Sequence, residues 1–247
     1  MNPLELLNHL EEQVPEEISK KYKEEILALE SGKPLQYVMG HVNFYGNQFE
    51  VDERVLIPRF ETEELVENTI KISKELFTEP VDILDLGTGS GVIGLTLEQK
   101  LPTKSVDLVD ISKDALEVAR KNGGKLQSKA NYIESDFFEK VEKLYDIIIS
   151  NPPYIKDDEE IEEIVKKNEP PLALYAGKDG LDCYKKILRE ARFYMKEKSI
   201  LAFEIGCTQK EDIIKLANKY LEDIEITCKK DLSGRDRMIF IIKNPPK

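Results

Sequence analysis

The chain has 247 residues, 40% hydrophobic and 34% charged, with a formal net charge of -12, which fits one large domain or a medium domain with a small appendage and excludes a disordered chain. No apolar run approaches the roughly 18 residues that a membrane span needs, and the acidic start lacks a signal-peptide pattern, so a soluble, cytoplasmic protein is expected. Three widely spaced cysteines (Cys183, Cys207, Cys228) and two histidines (His9, His41) make neither a disulfide framework nor a metal cluster, and the acidity disfavours nonspecific nucleic-acid binding while leaving a basic protein partner compatible.

Residues 1–30 carry a rough helical stripe, with Leu4, Leu7 and Leu10 before the break at Pro15 and Ile18, Tyr22, Ile26 and Leu29 after it. This reads as a small helical appendage. From Ser31 to Pro58, turn residues mixed with Tyr37, Val38, Phe44, Tyr45, Phe49 and Val51 read as a hairpin linker. From residue 59 to 247 the chain alternates in kind. Helices are expected over Glu61 to Phe77 and Val92 to Lys100, after Ser112, near Leu181 to Tyr194, and over Gln209 to Tyr220. Strands are expected at Val81 to Leu86, Val106 to Asp110, Tyr132-Ile133, Tyr145 to Ser150, Ile200 to Ile205, Ile224 to Thr227 and Met238 to Ile242. Such alternation implies an α/β fold with a doubly wound, mostly parallel sheet. The charge-dense run Asp157 to Lys167 reads as a solvated helix or loop.

The stretch Ile83-Leu84-Asp85-Leu86-Gly87-Thr88-Gly89-Ser90-Gly91 puts glycines where an apolar strand gives way to a helix. Glycine there lets backbone approach a ligand closely and take positive φ. Gly89, Gly91 and Gly94 also satisfy a dinucleotide spacing, so this turn alone does not separate NAD from S-adenosylmethionine. Asp110 ends the second strand, where a carboxylate can accept the hydroxyl hydrogens of an adenosine ribose; the weaker alternative is a helix-start residue with Ser112 as the cap. Asp136-Phe137 follows the third strand, where an acid can take an adenine amino group and a ring can cover the base, although Phe137 or Phe138 can equally be core.

Asn151-Pro152-Pro153-Tyr154 ends the apolar strand Tyr145 to Ser150, at the edge where open α/β sheets bind ligands. Two prolines fix φ and remove two N–H donors, making a stiff turn whose carbonyls, notably that of Pro152, can face a ligand. Asn151 offers a second acceptor and Tyr154 a flat face. Two acceptors suit an NH2 group whose lone pair is delocalised, because they hold both hydrogens and aim the nitrogen at a methyl sulfonium.

Together with this motif, several segments resemble the HemK/PrmC family of release-factor glutamine methyltransferases: Gly32-Lys33-Pro34-Leu35-Gln36-Tyr37, Phe44-Tyr45-Gly46, Val55-Leu56-Ile57-Pro58-Arg59-Phe60-Glu61-Thr62-Glu63, Glu169-Pro170, Glu204-Ile205-Gly206 and Gly234-Arg235-Asp236-Arg237. The resemblance implies a Rossmann-like class I methyltransferase sheet with an antiparallel final strand, S-adenosylmethionine as cofactor, and methylation of the side-chain amide of the glutamine in the Gly-Gly-Gln loop of class 1 peptide chain release factors. It implies that Gly87, Thr88, Gly89, Ser90, Gly91, Asp110, Asp136, Phe137 and Asn151 bind the cofactor, and that Asn151, Pro152, Pro153 and Tyr154 hold the glutamine. It makes residues 1–30 a substrate-docking region and 59–247 the methyltransferase domain of a monomeric enzyme. Two departures stand out: Phe60 replaces the family's usual proline, and the region before Gly32 is shorter than usual in the family. The alternatives are a glutamine methyltransferase acting on a ribosomal protein, a DNA or RNA amino-methyltransferase needing base flipping and a basic groove, and a nicotinamide-dependent oxidoreductase, which leaves Asn151 to Tyr154 unexplained.

Overall fold

The computed structural model describes residues 16–245. The stripe Leu4, Leu7 and Leu10 lies outside them. Helix α1 (Glu16–Glu30) leads into a short helix α2 (Leu35–Met39), set between Pro34 and the left-handed Gly40. The expected hairpin follows as β1 (His41–Phe44) and β2 (Asn47–Glu50), paired antiparallel with His41 opposite Glu50. Its two-residue turn, Tyr45-Gly46, has positive φ at both positions, the geometry that matches the twist of a tight hairpin. Phe44 and Phe49 are buried and meet edge to face at 6.0 Å. They belong to the same apolar cluster as the large sheet, so residues 41–50 are packed onto its core.

The rest runs α3 (Phe60–Leu76), β3 (Val81–Leu86), α4 (Val92–Lys100), β4 (Thr103–Asp110), α5 (Lys113–Lys125), β5 (Asn131–Glu134), β6 (Tyr145–Ser150), α6 (Glu163–Asn168), α7 (Asp182–Ala191), β7 (Met195–Glu204), α8 (Lys210–Tyr220), β8 (Ile224–Lys230) and β9 (Asp236–Lys243). The seven strands are ordered β5-β4-β3-β6-β7-β9-β8, with β9 antiparallel to both of its neighbours and all other pairs parallel. The fold class and its antiparallel last strand are therefore as expected.

Successive strand residues point to opposite faces, and this divides the core. Ile83, Ile147 and Ile149 pack on one side with Leu65 and Val66 of α3, Leu95 of α4 and Val118 of α5. Leu84, Leu86 and Ile148 pack on the other with Tyr184, Ile187 and Leu188 of α7 and Ile213 of α8. Covered on both faces, β3 and β6 have the near-continuous apolar sequence of central parallel strands. The chain moves from β3 out to β5 and returns to β6 on the other side of β3, so the order reverses between β3 and β6. That reversal opens a crevice at the carboxyl ends of these two strands. Helix α6, in the charge-dense run, buries none of its side chains. No helix among the described residues is long and apolar enough to cross a membrane.

Candidate active site

A cleft of about 350 Å³ opens at this crevice. Gly87, Thr88, Gly89 and Ser90 form one wall, with Asp110, Asp136 and Phe137 beside them and Asn151 and Pro153 opposite. The turn exists because Gly87, Gly89 and Gly91 all take left-handed φ, from +55° to +85°. A side chain at Gly89 is strained by its φ of +55°, although open space surrounds the position a Cβ would take.

Three carboxylates organise this end of the sheet. Asp110 closes β4, with Oδ2 accepting the Gly89 N–H at 2.8 Å and Oδ1 accepting the Ser112 N–H at 2.9 Å. It thus braces the glycine turn and the start of α5 together, and burial raises its pKa despite those bonds. Asp85, fully buried in β3, accepts from Thr88 Oγ1 at 2.6 Å and Gly94 N at 2.9 Å through Oδ2. Its Oδ1 has no hydrogen-bond partner among the described residues. Burial pushes the group up to about 7, against those two bonds. Asp136 is instead ion-paired to Lys186 at 2.5 Å, and the same ammonium lies 5.8 Å from the centre of the Phe137 ring.

Asn151-Pro152-Pro153-Tyr154 leaves β6 at Ser150, whose hydroxyl donates to Leu86 O at 2.6 Å and ties the ends of β6 and β3 together. Asn151 and Pro153 border the cleft; Pro152 is buried, and Tyr154 packs against the second core layer. Neither Pro152 nor Tyr154 is among the described residues that line the cleft. Burial raises the Tyr154 phenol above its ordinary pKa, so it stays neutral. Gln209 fastens this loop from outside, with Nε2 donating to Tyr154 O at 2.9 Å and Gly180 O at 3.0 Å while Oε1 accepts from Gly206 N at 3.0 Å. At Gly180, φ is +71° and a Cβ would lie 2.5 Å from Tyr154 O, so glycine is required.

Several contributors went unassigned in the sequence. Asn151 Nδ2 donates to Thr62 Oγ1 at 3.3 Å, and Thr62 Oγ1 donates to Glu204 Oε2 at 2.7 Å. Glu204, the last residue of β7, is buried to 1% exposure, which pushes its carboxyl up to about 7. Across the mouth, Arg59 pairs with the buried Glu169 at 2.5 Å, and Glu169 also accepts the Ile57 N–H at 3.2 Å. Tyr37 donates to Val55 O at 2.6 Å. These bonds hold the 55–59 stretch beside Pro170 and Leu172 at the rim. The positional rule that singles out Asp110, an acid at the carboxyl end of a strand, applies equally to Asp85 and Glu204.

Comparison with known proteins agrees with this architecture. A family model described as Methyltransferase small domain matches residues 63–173. Among solved structures, a methyltransferase from Pyrococcus furiosus superposes with a TM-score of 0.59 at 18% identity, covering 81% of this chain and 90% of that one. The 16S rRNA N2 G1207 methyltransferase of T. thermophilus, solved with AdoMet and guanosine, gives 0.60 at 16% identity, covering 82% and 49%. At those identities the likeness is one of fold. Sequence relatives are much nearer. The release factor glutamine methyltransferase of Streptococcus pneumoniae is 41% identical over 235 residues, covering 94% of this chain and 83% of the relative. That of Bacillus subtilis is 39% identical over 246 residues, covering 97% and 85%. With that identity sustained over nearly its whole length, and with the fold to match, the chain belongs to the release factor glutamine methyltransferase family.

Proposed function

We propose that this protein transfers the methyl group of S-adenosylmethionine to the side-chain amide nitrogen of the glutamine in the Gly-Gly-Gln loop of class 1 peptide chain release factors. The observation that carries this reading is the meeting of the glycine turn with Asn151 and Pro153, the two motif residues that border the cleft, at the β3/β6 reversal. The cofactor fits the residues present. The glycine turn exposes backbone without side chains, and Asp110, braced at the carboxyl end of β4, lines the cleft where it would meet the adenosine ribose. Gly87 to Gly91, Asp110, Asp136, Phe137 and Asn151 would hold it, and when bound it supplies an electrophilic methyl together with its own leaving group.

What remains for the chain is alignment and exclusion of water. A glutamine amide nitrogen is a poor nucleophile because its lone pair is delocalised into the carbonyl. Asn151 Oδ1 and the Pro152 carbonyl would take its two hydrogens, which draws electron density onto nitrogen and points it at the methyl group, with Pro153 lining the slot and Tyr154 backing the turn from the second core layer. No base is needed before transfer, since the methylated nitrogen becomes acidic and sheds its proton afterwards. The half-exposed apolar residues Ile111 and Leu172 on the cleft, with Phe60 near its mouth, suit a protein substrate better than a nucleic acid. In this reading residues 1–30 assist docking, residues 31–58 link them to the methyltransferase domain at 59–247, and the protein acts as a cytoplasmic monomer.

The test offers labelled S-adenosylmethionine with a release factor, the same factor with its loop glutamine replaced, a ribosomal protein and RNA. Label is expected in the first alone. Label in RNA, or label that persists after the glutamine is replaced, overturns the reading.

A further inference from the structure

We infer that Glu204, acting through the hydroxyl of Thr62, fixes which end of the Asn151 side-chain amide faces the substrate. This assignment builds on the methyl-transfer reading above and deepens it. It makes Glu204 and Thr62 positioning residues for the amide acceptor.

An asparagine amide has nearly the same shape in its two orientations, and its hydrogen-bond partners decide whether oxygen or NH2 faces a given side. To receive a substrate N–H, Asn151 must present Oδ1. An ionised Glu204 only accepts, so the Thr62 hydroxyl, 2.7 Å from Oε2, must spend its one hydrogen there. Thr62 Oγ1 then has only lone pairs to offer, and the Asn151 atom 3.3 Å away must be the donor Nδ2. The opposite orientation would set lone pair against lone pair in a half-buried site, losing a hydrogen bond for no return. Oδ1 is therefore the end left for the cleft, which Thr62 and Asn151 both border.

The ionisation state of Glu204 governs this logic. A protonated Glu204 can donate to Thr62, which frees the Thr62 hydrogen for Asn151 Oδ1 and turns NH2 toward the substrate, donor against donor. Burial favours the neutral acid and pushes the group up to about 7; the Thr62 bond and the charges of Arg237 and Arg59 favour the anion, and Glu61 opposes it. The phenols of Tyr154 and Tyr184 also face the site, and Tyr184 donates to the backbone carbonyl of Glu204 at 2.7 Å. Arg237 acts from a distance, being bonded to Ile205 O and Asp231. Wild-type turnover should therefore decline as pH falls through about 7 and hold above it.

The experiment measures kcat and KM for release-factor methylation against pH for wild type, Glu204→Gln, Thr62→Val and Thr62→Ser, with S-adenosylhomocysteine calorimetry and thermal melts in parallel. Glu204→Gln and Thr62→Val are expected to lower kcat roughly 10- to 100-fold, with KM and S-adenosylhomocysteine affinity within about twofold, and to lose the acid limb. Thr62→Ser is expected to recover most of what Thr62→Val loses and to restore that limb. Folded Glu204→Gln or Thr62→Val protein that keeps wild-type kcat and its pH profile overturns the assignment while leaving the methyl-transfer reading intact. A wild-type enzyme that leaves the loop glutamine unlabelled removes the reading, and the assignment with it.

Discussion

The two ends of the sheet treat their carboxylates in opposite ways. At the amino ends of the strands, Lys196 reaches Asp82 at 2.7 Å and Asp146 at 2.6 Å, and Lys143 reaches Asp107 at 2.9 Å. Tyr145 and Asn131 also donate to Asp107, at 2.6 Å and 2.8 Å. Burial works against the Asp82 anion, but bonds from Lys196 and Ser105 hold it below the usual carboxylate range. Three residues further along the same two strands, Asp85 and Asp110 accept only N–H and O–H groups, and burial raises both. Glu204 behaves likewise at the end of β7. One end has its charges completed within the protein. At the other, Lys186 pairs with Asp136 and Arg59 with Glu169, but Asp85, Asp110 and Glu204 have no cation bonded to them among the described residues and carry raised pKa values, a grouping common at functional sites.

The sharpest way to break this contrast is Asn151→Ala, which removes an acceptor at the open end. It should cut methylation by roughly 10²- to 10³-fold, as loss of a preorganised polar group does, and weaken S-adenosylhomocysteine binding in calorimetry far less, since many other groups share the cofactor; equal loss of both would leave Asn151 no separate role toward the substrate nitrogen. Next comes Asp85→Asn. The folded-state pKa of Asp85 is raised from 3.8 to about 7, so its contribution is full in acid and lost as pH rises through that interval. The variant should gain on the parent by on the order of 4 kcal/mol across this window in urea unfolding, and bind S-adenosylhomocysteine more weakly. At the closed end, Lys196→Met should cost about 1–2 kcal/mol at neutral pH, discounted for the partial exposure of the lysine. Because Asp82 is depressed, that cost should shrink as pH falls through its lowered range. Specific activity of the folded variant should be unchanged; a large kinetic defect would deny the division between the two ends. The smallest effect belongs to Phe60→Ala. Phe60 is 60% exposed near the cleft mouth, so stability should shift by less than about 0.5 kcal/mol. KM for the release factor should rise about two- to fivefold, as for a peripheral apolar contact.

Where the chemistry is local, the sequence announces it. Asp110 sits at a strand end beside its own helix start, and the apolar runs at Val81–Leu86 and Tyr145–Ser150 can only be central strands. Tyr45-Gly46 likewise announces the hairpin. Helix α2 escapes because five residues are too few for a 3.6-residue period to register. The early part of β7 escapes because Lys196, Glu197 and Lys198 carry no apolar pattern, so the strand is expected only from Ile200, although Lys196 completes the ion pairs below the sheet. The relay from Glu204 to Asn151 is hidden for a different reason. Thr62 lies 142 residues from Glu204 and 89 from Asn151, and only the fold brings them together.

Gln209 carries a further consequence. Its side chain is a primary amide, the same functional group as the proposed acceptor, and its nitrogen gives one hydrogen to the Tyr154 carbonyl and the other to that of Gly180. The protein thus immobilises one of its own glutamines, at the start of α8, by lending it the carbonyl oxygens of Tyr154 and Gly180. With the Gly206 N–H closing on its oxygen, this carboxamide is held by two acceptors and one donor, and a visiting glutamine would need to meet a comparable set.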